Sequence, residues 1–331
     1  MDKAETLMEV ENLRVSFAMG GKTVQAVRGA SFRIRAGKTL ALVGESGCGK
    51  SVTAKALMGL IEKPGEIQKE SRILWHGRDI ASYTQKEWDL FRGKECAMVF
   101  QDAIAALNPT LSIGKQLTEV LENHFPGIKR RERAARAENM IREAGIPDEK
   151  LCMKKYPHEL SGGMRQRVMI AMAMLAKPKL LIADEPTTSL DVTVQAQILQ
   201  LMKRLQREEH TAILMITHNM GIVAELADEV DVMYAGKIVE KGSAEDIFYH
   251  AAHPYTKALL ASVPGRGNGK EKTRLTAIEG SVPDMISLPA GCGFCTRCPY
   301  ADRDCMLYEP QKTELSQGHE VYCRQVREKD R

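Results

Sequence analysis

The sequence lacks long hydrophobic runs, a strong excess of one charge, internal repeats and sustained heptads. Its longest apolar run, Val168 to Ala176, is nine residues long and is broken by Lys177-Pro178-Lys179. A membrane span needs about 20 apolar residues, so work at a membrane would require other chains to cross it. The charged opening Met1-Asp2-Lys3-Ala4-Glu5 leads into no apolar stretch, and no secretory signal is expected. A net charge of +4 over 331 residues falls short of the basic stripe of a nucleic-acid binder, and no nucleic-acid partner is expected.

What is present reads as an ordinary globular chain, 44% hydrophobic and 27% charged, long enough for one large domain with an appendage or for two modest domains. Lys38 to Val43 reads as a short buried strand that ends at Gly44. From Lys50 to Ile61 the spacing of Ala54, Leu57, Met58 and Ile61 predicts a helix. Further buried strands are expected at Leu180 to Ala183 and at Ala212 to Ile216, with a helix between them carrying Val194, Ile198, Leu201 and Leu205. Strands alternating with helices argue for an α/β fold with a mostly parallel sheet. The charged stretch Lys129-Arg130-Arg131-Glu132-Arg133 reads as a solvated helix face within a helical insertion over about 103–175. After about residue 250 the character changes. Gly265 to Lys272 is a polar, glycine-rich linker, and the tail beyond it is rich in proline, glycine and cysteine.

Between the first strand and the first helix lies Gly44-Glu45-Ser46-Gly47-Cys48-Gly49-Lys50-Ser51, a full match to G-x-x-x-x-G-K-S. The glycines let backbone N–H groups turn inward around phosphate oxygens, and the helix amino terminus adds its positive dipole end. Lys50 is expected to reach the β and γ phosphates, and the Ser51 hydroxyl to bind Mg²⁺. Cys48 is either a thiol made reactive by the helix terminus or a small residue at a variable loop position; the second is expected, so that it is dispensable for catalysis. Asp184-Glu185 closes an apolar strand, which suits Asp184 to hold Mg²⁺ and Glu185 to polarise the attacking water. In Leu160-Ser161-Gly162-Gly163-Met164-Arg165-Gln166-Arg167, a capping serine and two glycines precede an apolar helix, a second terminus suited to an anion.

Leu160 to Gln166, just upstream of the acidic pair, resembles the signature motif of the ATP-binding cassette (ABC) ATPases. Other elements of that family follow in order. Phe17 resembles the aromatic that stacks on adenine, although by itself it reads equally as a strand core residue. Gln101, after Cys96-Ala97-Met98-Val99-Phe100, resembles the glutamine that senses Mg²⁺ and water and abuts the membrane subunit. Ser189-Leu190-Asp191 resembles the D-loop, and His218 the switch histidine at the γ-phosphate. The resemblance covers about 7–250. It implies a P-loop NTPase (RecA-like) core with an ABC β-subdomain and a helical signature subdomain. It assigns Gly44 to Ser51, Val52, Phe17 and, toward a partner's nucleotide, Ser161, Gly162 and Gly163 to ATP; Ser51, Gln101 and Asp184 to Mg²⁺; and Lys50, Gln101, Glu185 and His218 to hydrolysis. It also implies that ATP is sandwiched between two such subunits, the second a paralogue or another copy.

The loop sequence, Phe100-Gln101-Asp102 with Leu107-Asn108-Pro109, and His253-Pro254-Tyr255-Thr256 resemble the dipeptide, oligopeptide and nickel importer ATPases; Ala103 stands where that group is expected to have proline. The implied partners are two transmembrane permease subunits and, through them, an extracytoplasmic substrate-binding protein, with this chain peripheral on the cytoplasmic face of the membrane. The alternative is a non-transport ABC ATPase acting on ribosomes or in DNA repair, which two cassettes in one chain or long coiled coils would signal. The expected domains are 1–250, the nucleotide-binding domain, and 251–331, a small cysteine-rich domain. Eight cysteines are unevenly spread, five of them crowding the last forty residues. In a reducing compartment they favour a metal or cluster over disulfides. The tail resembles that group's carboxy-terminal domain, which implies Cys292, Cys298, Cys305 and Cys323 as ligands of a [4Fe–4S] cluster, with Zn²⁺ or an empty reduced site as alternatives and Cys295 as a substitute ligand.

Overall fold

The structure, a computed structural model, describes residues 5–187, 190–263 and 278–326. The glycine-rich linker and Ser189 of the D-loop lie outside the described residues, as does the side chain of Leu205. The chain divides into two compact units. One holds Met1–Leu7, Ile34–Lys38 and Ser82–Met215; the other holds Met8–Arg33, Thr39–Ala81 and Ile216–Arg331.

The second unit holds all but the outermost residues of two long strands, Thr6–Met19 and Lys22–Arg35, which lie side by side, with Arg72–Trp75 and Gly65–Ile67 pairing antiparallel onto the first of them. Alternating buried and exposed residues in both long strands mark a sheet with one face in a core. A second set of strands carries the phosphate loop. Thr39–Val43 is buried at every residue and pairs parallel with Glu229–Tyr234, as expected of a strand covered on both faces. Lys237–Ser243 then adds antiparallel, followed by His319–Tyr322 and Lys312–Ser316 from the tail. The apolar core here joins Val43, Val232 and Tyr234 to Tyr255, Leu259 and Phe294. The helix after the phosphate loop runs Lys50–Leu57, shorter than the spacing predicts. It stops because Gly59 turns to φ 61° and its N–H bonds back to the Ala56 carbonyl.

The first unit contains the parallel strands Cys96–Val99 and Leu180–Asp184, in register from Cys96 opposite Leu180 to Val99 opposite Ala183. Its helices are Ile113–His124, Arg130–Glu143, Gly162–Met174 and Val192–Glu209. Ser112, Ser161 and Asp191 cap three of them by accepting backbone N–H bonds from Lys115, Met164 and Val194. Among the described residues no helix is long and apolar enough to cross a membrane.

Candidate nucleotide site

The phosphate loop lies in the second unit. Two of its glycines cannot be replaced by an ordinary residue. Gly44 has φ 155° and a Cβ there would strike the Met233 carbonyl; Gly49 has φ 106° and a Cβ would strike the Ala26 carbonyl. Gly49 is also the helix N-cap and supplies no side-chain acceptor, so the first-turn N–H groups stay available for an anion. Lys50 is 5% exposed. Its Nζ donates to the carbonyls of Gly44 at 2.8 Å and Glu45 at 2.9 Å and lies 3.6 Å from Cys48 Sγ. Ser46 and Gly47 are exposed, while Ser51 and Val52 are half-buried. Burial raises the Cys48 thiol, outweighing the neighbouring Lys50 ammonium, so this is a neutral thiol rather than a reactive one. The Glu45 N–H donates to the hydroxyl of the fully buried Tyr255 at 2.8 Å. Phe17 is half-buried opposite Gly65, and His218 is exposed just beyond the strand Ala212–Thr217.

The first unit brings together a different set. Asp184 and Glu185, 4% and 8% exposed, close the strand Leu180–Asp184. Glu185 has φ 46°, an uncommon conformation for a residue with a Cβ and costly by about 1–3 kcal/mol. Gln101 Nε2 donates to Glu185 Oε2 at 3.3 Å, so the two residues expected to handle water touch each other. Ser161 caps the helix Gly162–Met174 through Met164 N–H at 3.3 Å. Gly162 borders open space, whereas a Cβ on Gly163 would press on the Val194 side chain.

In the tail, Cys292, Cys295, Cys298, Cys305 and Cys323 all line one pocket, with His253, Phe294 and Gln325. Burial pushes the Cys292 thiol up to about 11 and raises Cys295, Cys298 and Cys323 as well. His253 is 1% exposed; its Nδ1 accepts the Tyr255 N–H at 3.0 Å, and burial pulls its imidazole down to about 4 against the opposing charge of Glu240. Glu240 is fully buried and accepts from Ala252 N–H at 2.7 Å and His253 N–H at 3.0 Å, with His319 Nε2 at 2.9 Å.

The ABC transporter family model matches residues 27–188, and the model of the oligopeptide/dipeptide transporter C-terminal region matches residues 239–305. The dipeptide transport ATP-binding protein DppD of Bacillus subtilis is 50% identical over 322 residues, covering 96% of this chain and 94% of that protein. The chain belongs to the ABC transporter ATP-binding subunits of the oligopeptide/dipeptide group. The oligopeptide transport ATP-binding protein OppD of the same organism is 49% identical, covering 97% of this chain and 89% of its own length. A dimeric bacterial ABC transporter cassette superposes with a TM-score of 0.65 at 24% identity, over 72% of this chain and 98% of that one, and shows the fold. The cbiO1 protein of Clostridium perfringens does so with a TM-score of 0.63 at 27% identity, over 75% of this chain and 92% of that one.

This ABC subunit is therefore an ATPase with the α/β cassette fold. The cysteines expected as ligands in the tail form no preformed ion site. Among the described residues, no group of three or more Cys, His, Asp or Glu side chains could hold a metal ion. Cys292, Cys298, Cys305 and Cys323 nevertheless line one pocket. The sequence also left the partners of Glu45 unseen. Tyr255 and Arg297 lie in stretches that carry the family resemblance, but contacts across more than 200 residues leave no local spacing to read.

Proposed function

We propose that this subunit hydrolyses ATP to energise a membrane importer of dipeptides or oligopeptides, the cargo class named for the relatives half identical to it. The observation that carries the nucleotide part is the phosphate loop: glycines at positions closed to any Cβ, and a buried lysine on the helix that the loop opens. Lys50 draws electron density from the β and γ phosphates, and the N–H groups of the loop and of Ser51 and Val52 surround them. Ser51, Asp184 and Gln101 serve Mg²⁺. Glu185 takes the proton of the attacking water, and Gln101, bonded to it, orients that water. His218 contacts the γ-phosphate and Phe17 stacks on adenine. Ser161, Gly162 and Gly163 complete the nucleotide site of a second ATPase subunit, a paralogue or a second copy. ATP then draws the two subunits together and hydrolysis releases them. Two permease subunits couple that cycle to transport, and a substrate-binding protein outside the membrane selects the cargo. The chain is accordingly assigned to the cytoplasmic face of the membrane.

The test is co-expression with candidate permease subunits. The chain should pellet with membranes only when they are present, and ATP-dependent uptake of a labelled dipeptide should appear. Stable co-sedimentation with ribosomes instead would favour the non-transport reading.

A second reading concerns the tail. A [4Fe–4S] cluster binds each thiolate at a different iron, and the convergence of five thiols on one pocket supports it. The alternative occupant is Zn²⁺, although among the described residues no three such side chains form an ion site. Cys292, Cys298, Cys305 and Cys323 would hold the cluster, with Cys295 able to replace one of them. The cluster would contribute structure or redox sensing rather than hydrolysis. Anaerobic purification should give a brown protein containing iron and acid-labile sulfide; a colourless, iron-free protein would sink this reading.

A further inference from the structure

Arg297 lies in the tail between two of the pocket cysteines, and its side chain is 4% exposed. A guanidinium carries five N–H donors in a fixed plane, and five hydrogen bonds surround this one. Nε donates to the Glu279 carbonyl at 2.9 Å, and Nη2 to the Ile278 carbonyl at 3.2 Å. The opposite fork grips the phosphate loop: Nη1 donates to Glu45 Oε2 at 2.6 Å, and Nη2 to Glu45 Oε1 at 3.2 Å. Nη1 also donates to the Tyr234 hydroxyl at 3.2 Å. One buried cation thus ties the start of the tail to the second residue of the loop, 252 positions earlier.

Glu45 is held at every polar group it has. Its carboxylate takes the Arg297 fork, its N–H meets Tyr255 and its carbonyl meets Lys50. Two consequences follow. A loop with glycine at 44, 47 and 49 would otherwise fluctuate, and fixing its shape before ATP arrives moves that ordering cost out of the binding step. Glu45 is also an anion in a loop built for phosphate, and an unpaired carboxylate there would oppose the ligand's charge. Arg297 neutralises it from behind with a geometry that lysine cannot copy.

We propose that Arg297 is a positioning residue of the ATPase: its bidentate pair with Glu45 sets the phosphate loop, so that affinity for ATP depends on the tail. The proposal rests on the reading that Gly44 to Ser51 holds the phosphates of ATP.

The test is the steady-state kinetics of the full chain assembled with its membrane subunits, alongside thermal melting. Arg297→Met should raise KM for ATP about tenfold, the loss of one charge-assisted bidentate contact, while kcat changes far less. Arg297→Lys should recover part of that loss, and Arg297→Met with Glu45→Ala should be no worse than Arg297→Met alone. Should Arg297→Met fail to fold, Glu45→Ala still reports, because Arg297 keeps its bonds to Ile278 and Glu279; it should raise KM severalfold. A lower melting temperature with wild-type KM in Glu45→Ala and Arg297→Lys would overturn the proposal, as would additive effects in the double variant. Lys50→Ala separates the two levels. If it binds ATP like the wild type, the reading of the loop fails. If it loses ATP while the Glu45 and Arg297 variants keep wild-type KM, only the role of Arg297 fails.

Discussion

His253 should make the folded protein acid-labile well above the carboxylate range. It is 1% exposed and titrates near 4 because burial penalises the imidazolium, whereas its ordinary value is 6.5. Between those values the unfolded chain takes up a proton at this residue and the folded chain does not, so stability present at neutral pH is lost as pH falls below 6.5 toward 4. Working the linkage from those two values, the loss is about 2 kcal/mol between pH 7.5 and pH 5. Asparagine is the informative replacement, since it can still accept the Tyr255 N–H as a helix cap and does not titrate. Any packing cost of His253→Asn is the same at each pH, so the evidence lies in the slope. Urea unfolding of both proteins at several pH values from 7.5 to 5 measures it. The wild type should lose about 2 kcal/mol more than the variant over that range. Parallel profiles would refute the buried, neutral histidine. Stopping at pH 5 keeps Glu240 out of the comparison. Burial alone would raise its carboxyl, but the hydrogen bonds from His319, Ala252 and His253 hold it below 4.5. Its contribution is present above pH 4.5 and fades only as pH falls through that lower value.

Glu240→Ala should cost about 3–5 kcal/mol, because it strands two buried N–H groups and His319; a urea midpoint within error of the wild type would contradict this. Gly49→Ala should abolish ATP binding in an equilibrium titration, since its φ and the Ala26 carbonyl both exclude a Cβ; wild-type affinity would show that the loop can reshape. Cys48→Ala should retain ATPase turnover, and the wild-type thiol should resist alkylation in the folded protein, because it is fully buried and held protonated. Rapid alkylation, or loss of turnover without loss of folding, would assign Cys48 a role in the site.

Local order made part of this molecule legible from sequence. The phosphate loop is eight consecutive residues between a strand and a helix, so its composition alone dictates the turn. Asp184-Glu185 at the end of an apolar strand and Ser161 before an apolar helix were equally readable, since a cap or strand end is decided within a few residues. The tail was not. The strands Lys312–Ser316 and His319–Tyr322 are five and four residues long, too short for their alternation to stand out, and the second of them pairs onto Lys237–Ser243 across some eighty positions. The family resemblance implied Cys292, Cys298, Cys305 and Cys323 as ligands, whereas their shared pocket with Phe294 depends on tertiary packing that spacing does not show. The unusual backbone of Glu185, its bond to Gln101 and the low value of His253 depend on neighbours that sequence order does not reveal.

Glu185 is the residue proposed to activate water for ATP hydrolysis. Glu185→Gln keeps the shape and a partner for Gln101 but cannot take a proton. ATP binding and phosphate release, measured side by side on the assembled transporter, test this directly. The variant should retain ATP with turnover reduced at least about a hundredfold; turnover at the wild-type rate would contradict the role of Glu185.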